Sequence, residues 1–282
     1  MAFEYEALTR VAKNSSLTSG SIVQIPKVYH YDQTHHVLIL QDCGDLPTLE
    51  SVLLNTPPSI EVSAQIGHAL GEFLAKLHVW GRENEYMKKT FENHITPVTI
   101  SLFTSYGKSD ATEKELVLTN AEKLVLNEIV TSVIESMQQR ETFTMGEFWR
   151  GNILVDIDPD TTMLRQIYII DWEMARYGLP SHDVAQFIPD FVMPPRFKYY
   201  LSSNALLSSF LLTYKKLCHL DNQDIKTVAT HVGMHIFVWA NGFALKYGED
   251  KKQFVAIGTE YMMKAWGQDW SWLERSVIKD LF

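Results

Sequence analysis

Two short apolar runs, NILVDI at 152–157 and QIYIID at 166–171, flank the segment DPDTTM, with long helical stretches before and after them. β-branched and aromatic residues at this density in runs this short predict strands, and Asp-Pro-Asp between them is turn chemistry. One small hairpin inside an otherwise helical region limits the fold, because the helices must cover it. Asp171 follows IYII directly and Asn152 opens the first run, so pairing the runs brings a carboxylate and an amide oxygen together. Polar groups at the tip of a buried strand are costly without a partner or a task. Two such oxygens suit a hard cation such as Mg²⁺, which favours oxygen ligands and keeps waters that phosphates can replace.

The rest of the chain has a readable order. EYEALTRVAK (4–13) has helical spacing, and SSLTSGS (15–21) reads as a flexible loop. IPKVYHYD and HVLILQDC (25–43) predict a second hairpin, followed by a linker, GDLPTLESVL, that enters a helix. From about residue 59 the texture is helical: Ile66, Leu70, Phe73, Leu74 and Leu77 share one face, and Ser59 is the N-cap candidate. Thr112–Arg140 is a long amphipathic stretch, and residues 200–282 read as several more helices. The expected fold class is α+β: a small, incomplete β lobe at 1–45 and a large, mostly helical lobe at 46–282. The hinge is expected near Asp42–Leu46.

With 46% hydrophobic residues in 282, the chain can bury a sizeable core. A net charge of −9 gives no general attraction for nucleic acid or anionic lipid, so neither is an expected partner. No apolar run approaches the roughly 20 residues of a membrane span, and MAFEYEALTR lacks the pattern of a signal peptide. The two cysteines, Cys43 and Cys218, form no metal or redox motif. A soluble, cytoplasmic protein is expected.

MGEFWRGNILVD followed by IIDWEMARYGLPSHDVAQF resembles the aminoglycoside phosphotransferase and choline kinase-like superfamily, whose members share the protein-kinase fold. That family's pattern is H-G-D-x-x-x-x-N, a strand pair, I-D-[WF]-E, and G-x-P-x-x-D-[LV]-A. LGEFLAKLH (70–78) is similar to its L-G-x-x-L-A-x-L-H helix, IPKVYHYD and LILQDCG to its last small-lobe strands and hinge, and EYEALTRV to its αC-like helix. The resemblance implies a two-lobe kinase-like fold and transfer of the ATP γ-phosphate to a hydroxyl of a small-molecule acceptor. It implies Asn152 and Asp171 as Mg²⁺ ligands and Glu147 at the catalytic acid position. Asp183 would be a structural brace and Glu4 the αC-like glutamate that pairs with a lysine. The backbone around Gln41, Asp42 and Cys43 would take the adenine.

Departures from the pattern shape what is expected of activity. Glu147 stands where the family has Asp, moving the carboxylate by over an ångström, and Met145 replaces a His that braces the loop. Only Met1-Ala2-Phe3 precede Glu4, so the glycine-rich loop and the phosphate-binding lysine are not in this sequence. Impaired transfer is one expectation. A pseudokinase or binding remnant is its rival, and a true start further upstream is a third reading. Other signals read as bland. HYDQTHH (30–36) is a solvated turn, His78 a packed histidine, YGKS (106–109) a false P-loop end, and Arg150 a solvated loop arginine. The tryptophans of WGQDWSW (266–272) read as packing residues. Among Asp190, Glu249, Asp250, Glu260 and Asp269, acids that would favour a cationic acceptor, the sequence makes no choice.

Overall fold

Alternation within the two apolar runs sets the register of the central hairpin. Strands β5 (Ile153–Ile157) and β6 (Leu164–Ile169) pair antiparallel, with Ile153 opposite Ile169 and Val155 opposite Ile167. All four side chains are fully buried, while Leu154, Asp156, Gln166 and Tyr168 lie on the other, partly open face. Such period-two burial is expected of a sheet covered on one side. The computed structural model describes residues 1–92, 118–192 and 200–282. Among these, residues 1–92, 142–177 and 200–219 form one compact unit, and residues 118–141, 178–192 and 220–282 a second.

In the first unit, helix α1 (Ala2–Lys13) buries Ala7, Leu8 and Val11. The expected loop at 15–21 instead begins with a one-turn helix, α2 (Ser15–Thr18), because the Asn14 side chain accepts the Ser16 N–H (3.0 Å) and Leu17 turns inward. Strand β1 (Val23–Gln24) joins β6 in parallel, giving the order β1-β6-β5. Strands β2 (Val28–Asp32) and β3 (Val37–Leu40) form the second expected hairpin, against which Tyr5 stacks on Tyr31 at 4.7 Å. Helix α3 (Leu49–Asn55) follows, capped by Thr48.

Helix α4 (Ile60–Glu83) is capped by Ser59, as expected, and buries Ile66, Leu70, Phe73, Leu74 and Leu77. It crosses helix Tyr200–Cys218 closely at Gly71, where a Cβ would stand 2.5 Å from the Phe210 carbonyl oxygen. Helix α5 (Glu85–Phe91) brings Phe91 against Phe143 at 4.9 Å. Strands β4 (Thr142–Thr144) and β7 (Arg176–Gly178) pair, and the Thr142 hydroxyl donates to the His78 carbonyl within α4.

The second unit is helical. Helix Asn120–Ser136 starts at a capping box between Thr119 and Glu122, later than the stretch from Thr112 implied, although residues 112–117 lie outside the described set. It packs on helix Asn222–Val238 through Ser136, whose hydroxyl lies 3.0 Å from His231 Nε2. Helices Pro180–Phe187, Ala240–Tyr247 and Lys251–Trp266 complete most of the layer. Among the described residues, no helix is long and apolar enough to cross a membrane.

Candidate active site

The segment from Met145 to Asn152 is pegged on either side of its acid. Met145 and Phe148 are fully buried, with the Phe148 ring 6.1 Å from that of Phe210. Between them Gly146 takes φ +86°, a conformation that suits glycine, and Glu147 comes out half-buried. A Cβ at 146 would stand 2.8 Å from the Met174 carbonyl carbon and nearer still to its oxygen. The loop bearing Glu147 and the loop after Asp171 therefore meet through bare backbone. The Trp149 N–H donates to the Glu147 carbonyl and the Asn152 N–H to the Trp149 carbonyl, both at 3.0 Å. These bonds tighten the chain into the short turn Arg150–Asn152.

The hairpin mouth does what the sequence requires of it. The Ile170 N–H donates to the Asn152 carbonyl (2.9 Å), so the last rung of the ladder sets Asn152 beside the chain entering Asp171. The Asn152 side chain donates from Nδ2 to the Glu147 carbonyl (3.2 Å). With the nitrogen engaged there, Oδ1 is the atom left to face a ligand.

Asp171 adopts φ +64°, which the sequence alone does not show. A left-handed non-glycine residue costs about 1–2 kcal/mol and is held only where its surroundings dictate it. The next residue supplies the hold. Trp172 is fully buried, donates Nε1 to the Ile169 carbonyl (3.0 Å), stacks on Phe143 (6.3 Å) and meets Phe73 edge-on (6.5 Å). With that ring fixed in the core, Asp171 makes the turn.

Three carboxyls from separate stretches of sequence are raised above the usual carboxylate range. Burial raises Glu147, reinforced by the negative charges of Asp171 and Glu173; the Asn152 amide and Arg176 oppose this. Asp171 is exposed by accessible area, yet the loops around its carboxyl strip enough water to raise it, and Glu173 adds to the effect. Glu4 is raised first by burial, then by Asp171 and Glu173; the Met1 α-amino group and the Trp172 N–H work the other way. Glu173 thus joins the site although the motif alone gives it no role there. Glu4 faces the Asp171–Glu173 turn, an approach between residues far apart in sequence.

Like charges raised together define a place where a cation is electrostatically favoured. Among the described residues, no three His, Cys, Asp or Glu side chains lie close enough to hold a metal ion by themselves. The donors present, one carboxylate and one amide oxygen, fit an ion such as Mg²⁺ that completes its shell with waters and phosphate oxygens.

The remaining expected residues lie as follows. The Gln41 N–H donates to the Lys27 carbonyl (2.8 Å), and the exposed Asp42 accepts the Gly44 N–H (2.8 Å) beside a half-buried Cys43. Asp183 is fully buried in the first turn of helix Pro180–Phe187, within the second unit. His78 is packed, its Nδ1 2.7 Å from the Tyr214 hydroxyl. Of the His30–His36 segment, His30–Asp32 ends β2 and 33–36 form an exposed turn organised by Asp32. Asp190 is buried, accepting from the Tyr247 hydroxyl and pairing with Lys246 at 3.0 Å. Trp270 and Trp272 are half-buried, the latter edge-on to Tyr261 at 4.9 Å. YGKS lies outside the described residues. Arg150 corrects the sequence reading. It is buried rather than solvated, because the turn Arg150–Asn152 is tucked against α3.

The chain matches the Phosphotransferase enzyme family over residues 1–202. It is 30% identical over 276 residues to the 4-hydroxytryptamine kinase of Psilocybe cyanescens, covering 94% of this chain and 73% of that protein. The 4-hydroxytryptamine kinase of Psilocybe cubensis is 27% identical over 281 residues, covering 95% and 74%. Among solved structures, the GDP and kanamycin complex of APH(2")-IIia aligns with a TM-score of 0.50 at 15% identity, covering 94% of this chain and 83% of that one. At that identity the likeness speaks for the fold, and the fold is the expected α+β, protein-kinase-like one. A family match across most of the chain, with a relative 30% identical over 94% of this chain, leads to one conclusion: this chain belongs to the phosphotransferase enzyme family.

Proposed function

We propose that this protein is a small-molecule kinase that transfers the γ-phosphoryl group of ATP to a hydroxyl of a small metabolite in the cytoplasm. The observation that carries the reading is the meeting of Glu147, Asn152 and Asp171 at one loop and one hairpin mouth, with both acids raised. Mg²⁺, when bound by Asn152 Oδ1 and the Asp171 carboxylate, would supply charge neutralisation on the phosphates. The Gln41–Cys43 segment carries the base, Glu4 backs the nucleotide side of the site, and Asp183 braces the helical lobe from 46 onward.

Glu147 orients the acceptor hydroxyl and takes its proton. Its raised pKa makes it a stronger base than a free glutamate. Two relatives are 4-hydroxytryptamine kinases, so an indole or other aryl hydroxyl is the acceptor class to test first. Such a hydroxyl resembles that of tyrosine, with a pKa near 10. It asks less of the base than an aliphatic alcohol, and so tolerates the longer Glu147 side chain better.

Thermal unfolding with ATP, with and without Mg²⁺, tests the site, with Asp171→Ala as the control. At 100 times its Kd the nucleotide should add about 2.7 kcal/mol to the folded state, and the shift should need both Mg²⁺ and Asp171. A cooperative melt that no combination moves refutes the reading. Phosphorus NMR on mixtures containing 4-hydroxytryptamine, then on other hydroxyl acceptors, tests transfer. The pseudokinase reading draws on Glu147 in place of an aspartate, and a Mg²⁺-dependent shift with no transfer to any acceptor would favour it.

A further inference from the structure

The turn that joins Glu147 to Asn152 also carries a buried cation. The Arg150 side chain is 1% exposed, and a guanidinium is rarely enclosed so fully without an opposing charge. Glu50, in the first turn of α3, supplies one: its Oε1 lies 4.0 Å from an Arg150 terminal nitrogen, an ion-pair distance longer than a hydrogen bond. The main chain brings α3 there. Thr48 bridges Leu154, the Val155 N–H donates to the Pro47 carbonyl (3.0 Å), and Thr48 caps α3 through the Ser51 N–H (3.1 Å). One wall of the turn is therefore the strand that follows it, and the other is the helix bearing Glu50.

We propose that the Arg150–Glu50 pair is a clamp that sets the position of the turn between Glu147 and Asn152, which makes Arg150 a positioning residue with Glu50 as its counter-charge. The proposal rests on the phosphotransfer reading for its kinetic consequence, but not for its structural one. Arg150 is three residues past Glu147 and two before Asn152, within a turn closed by two hydrogen bonds of 3.0 Å, so it cannot shift without moving both. Stability is a poor reason to keep such a pair, because apolar replacements of a buried ion pair are commonly neutral or stabilising. A planar, rigid guanidinium specifies geometry better than an apolar plug of the same size.

Stability and positioning should therefore separate in the double variant Arg150→Met/Glu50→Gln. Its melting temperature should stay within a few degrees of wild type. Its kcat should fall about 10- to 100-fold, the order expected when a catalytic group moves by up to an ångström, while the acceptor KM changes less than about threefold. Arg150→Lys, which keeps the charge without the planar fork, should recover little of the lost kcat. A second readout needs no activity. In protein labelled with 5-fluorotryptophan, Trp149→Phe assigns the Trp149 fluorine resonance, and that resonance should shift or broaden in the double variant. If wild type transfers no phosphoryl group, the function fails but the fluorine experiment still judges the clamp. A double variant with wild-type kcat and an unmoved Trp149 resonance overturns the proposal. So does one that no longer folds, since the pair would then be a stability element.

Discussion

Replacing Gly146 by alanine tests whether the backbone contact beneath Glu147 sets the site. Two penalties apply. The first is conformational: φ is +86°, and a left-handed backbone costs an L-residue about 1–2 kcal/mol. The second is steric. The new Cβ would stand 2.8 Å from the Met174 carbonyl carbon, and ordinary contact begins at 3.4 Å, so that atom alone must retreat by 0.6 Å. The Met174 oxygen is nearer still, which brings the required separation of the two loops to about 1 Å. Under the proposed role of Glu147, a displacement of that size costs about 10²-fold in kcat, and strain plus clash should remove about 2–4 kcal/mol of stability. Gly20 supplies the control, with φ +71° and open space within 4 Å of its Cβ position. Gly20→Ala should lose only the conformational penalty and keep transfer intact. Urea denaturation and initial rates of phosphoryl transfer would be measured for both. If Gly146→Ala is no worse than Gly20→Ala in either, the loops do not meet through bare backbone as described, and the account of Glu147 positioning fails.

Two pH predictions run in opposite directions. The carboxyls of Glu4, Glu147 and Asp171 are raised, so their contribution to stability is full below the usual carboxylate range and is lost as pH rises through their folded values. Asp171→Asn should therefore melt higher than wild type at pH 7, lose that advantage near pH 4, and lose the Mg²⁺-dependent ATP shift; a variant less stable at pH 7 would refute the repulsion. His235, half-buried beside Trp239 and Phe243, is pushed down to about 4 by loss of solvation, against the pull of Asp190, which itself pairs with Lys246. A depressed value means stability present above the unfolded pKa of about 6.5 and lost as pH falls toward 4. The full loss is about 3 kcal/mol, from roughly 2.5 pH units at 1.36 kcal/mol each. His235→Phe should flatten that acid limb in denaturant titrations, and an unchanged limb would place the acid sensitivity elsewhere.

What the sequence made legible was local. Alternation in ILVDI and IYIID set both the strands and the Ile153–Ile169 register, and the register alone put Asn152 beside Asp171. Ser59 announced the start of α4 because its hydroxyl caps within three residues, at the Val62 N–H. The turn at Ser15–Thr18 is hidden for a local reason too: its cap belongs to Asn14, one residue outside a serine-rich stretch with the composition of a loop. The other surprises came from contacts between distant segments. Arg150 is buried because α3, about 100 residues earlier, docks on the turn, and nothing in FWRGN encodes that. Glu4 faces Trp172 and Glu173 across more than 160 positions.

The left-handed Asp171 belongs with these surprises, and it shows how core and site depend on each other. The residue is held at φ +64° with a carboxyl crowded by Glu4, Glu147 and Glu173, and both features oppose folding. What holds it is Trp172, which α4 and β4 grip through Phe73 and Phe143. The apolar stack thus offsets a strained, charge-crowded turn, and a bound cation would lift the electrostatic part of that strain. Part of the stability gained in the core is thereby committed to holding Asp171 in this turn, the exchange expected of the proposed site, where a fold keeps a strained, charged group rather than maximising stability alone.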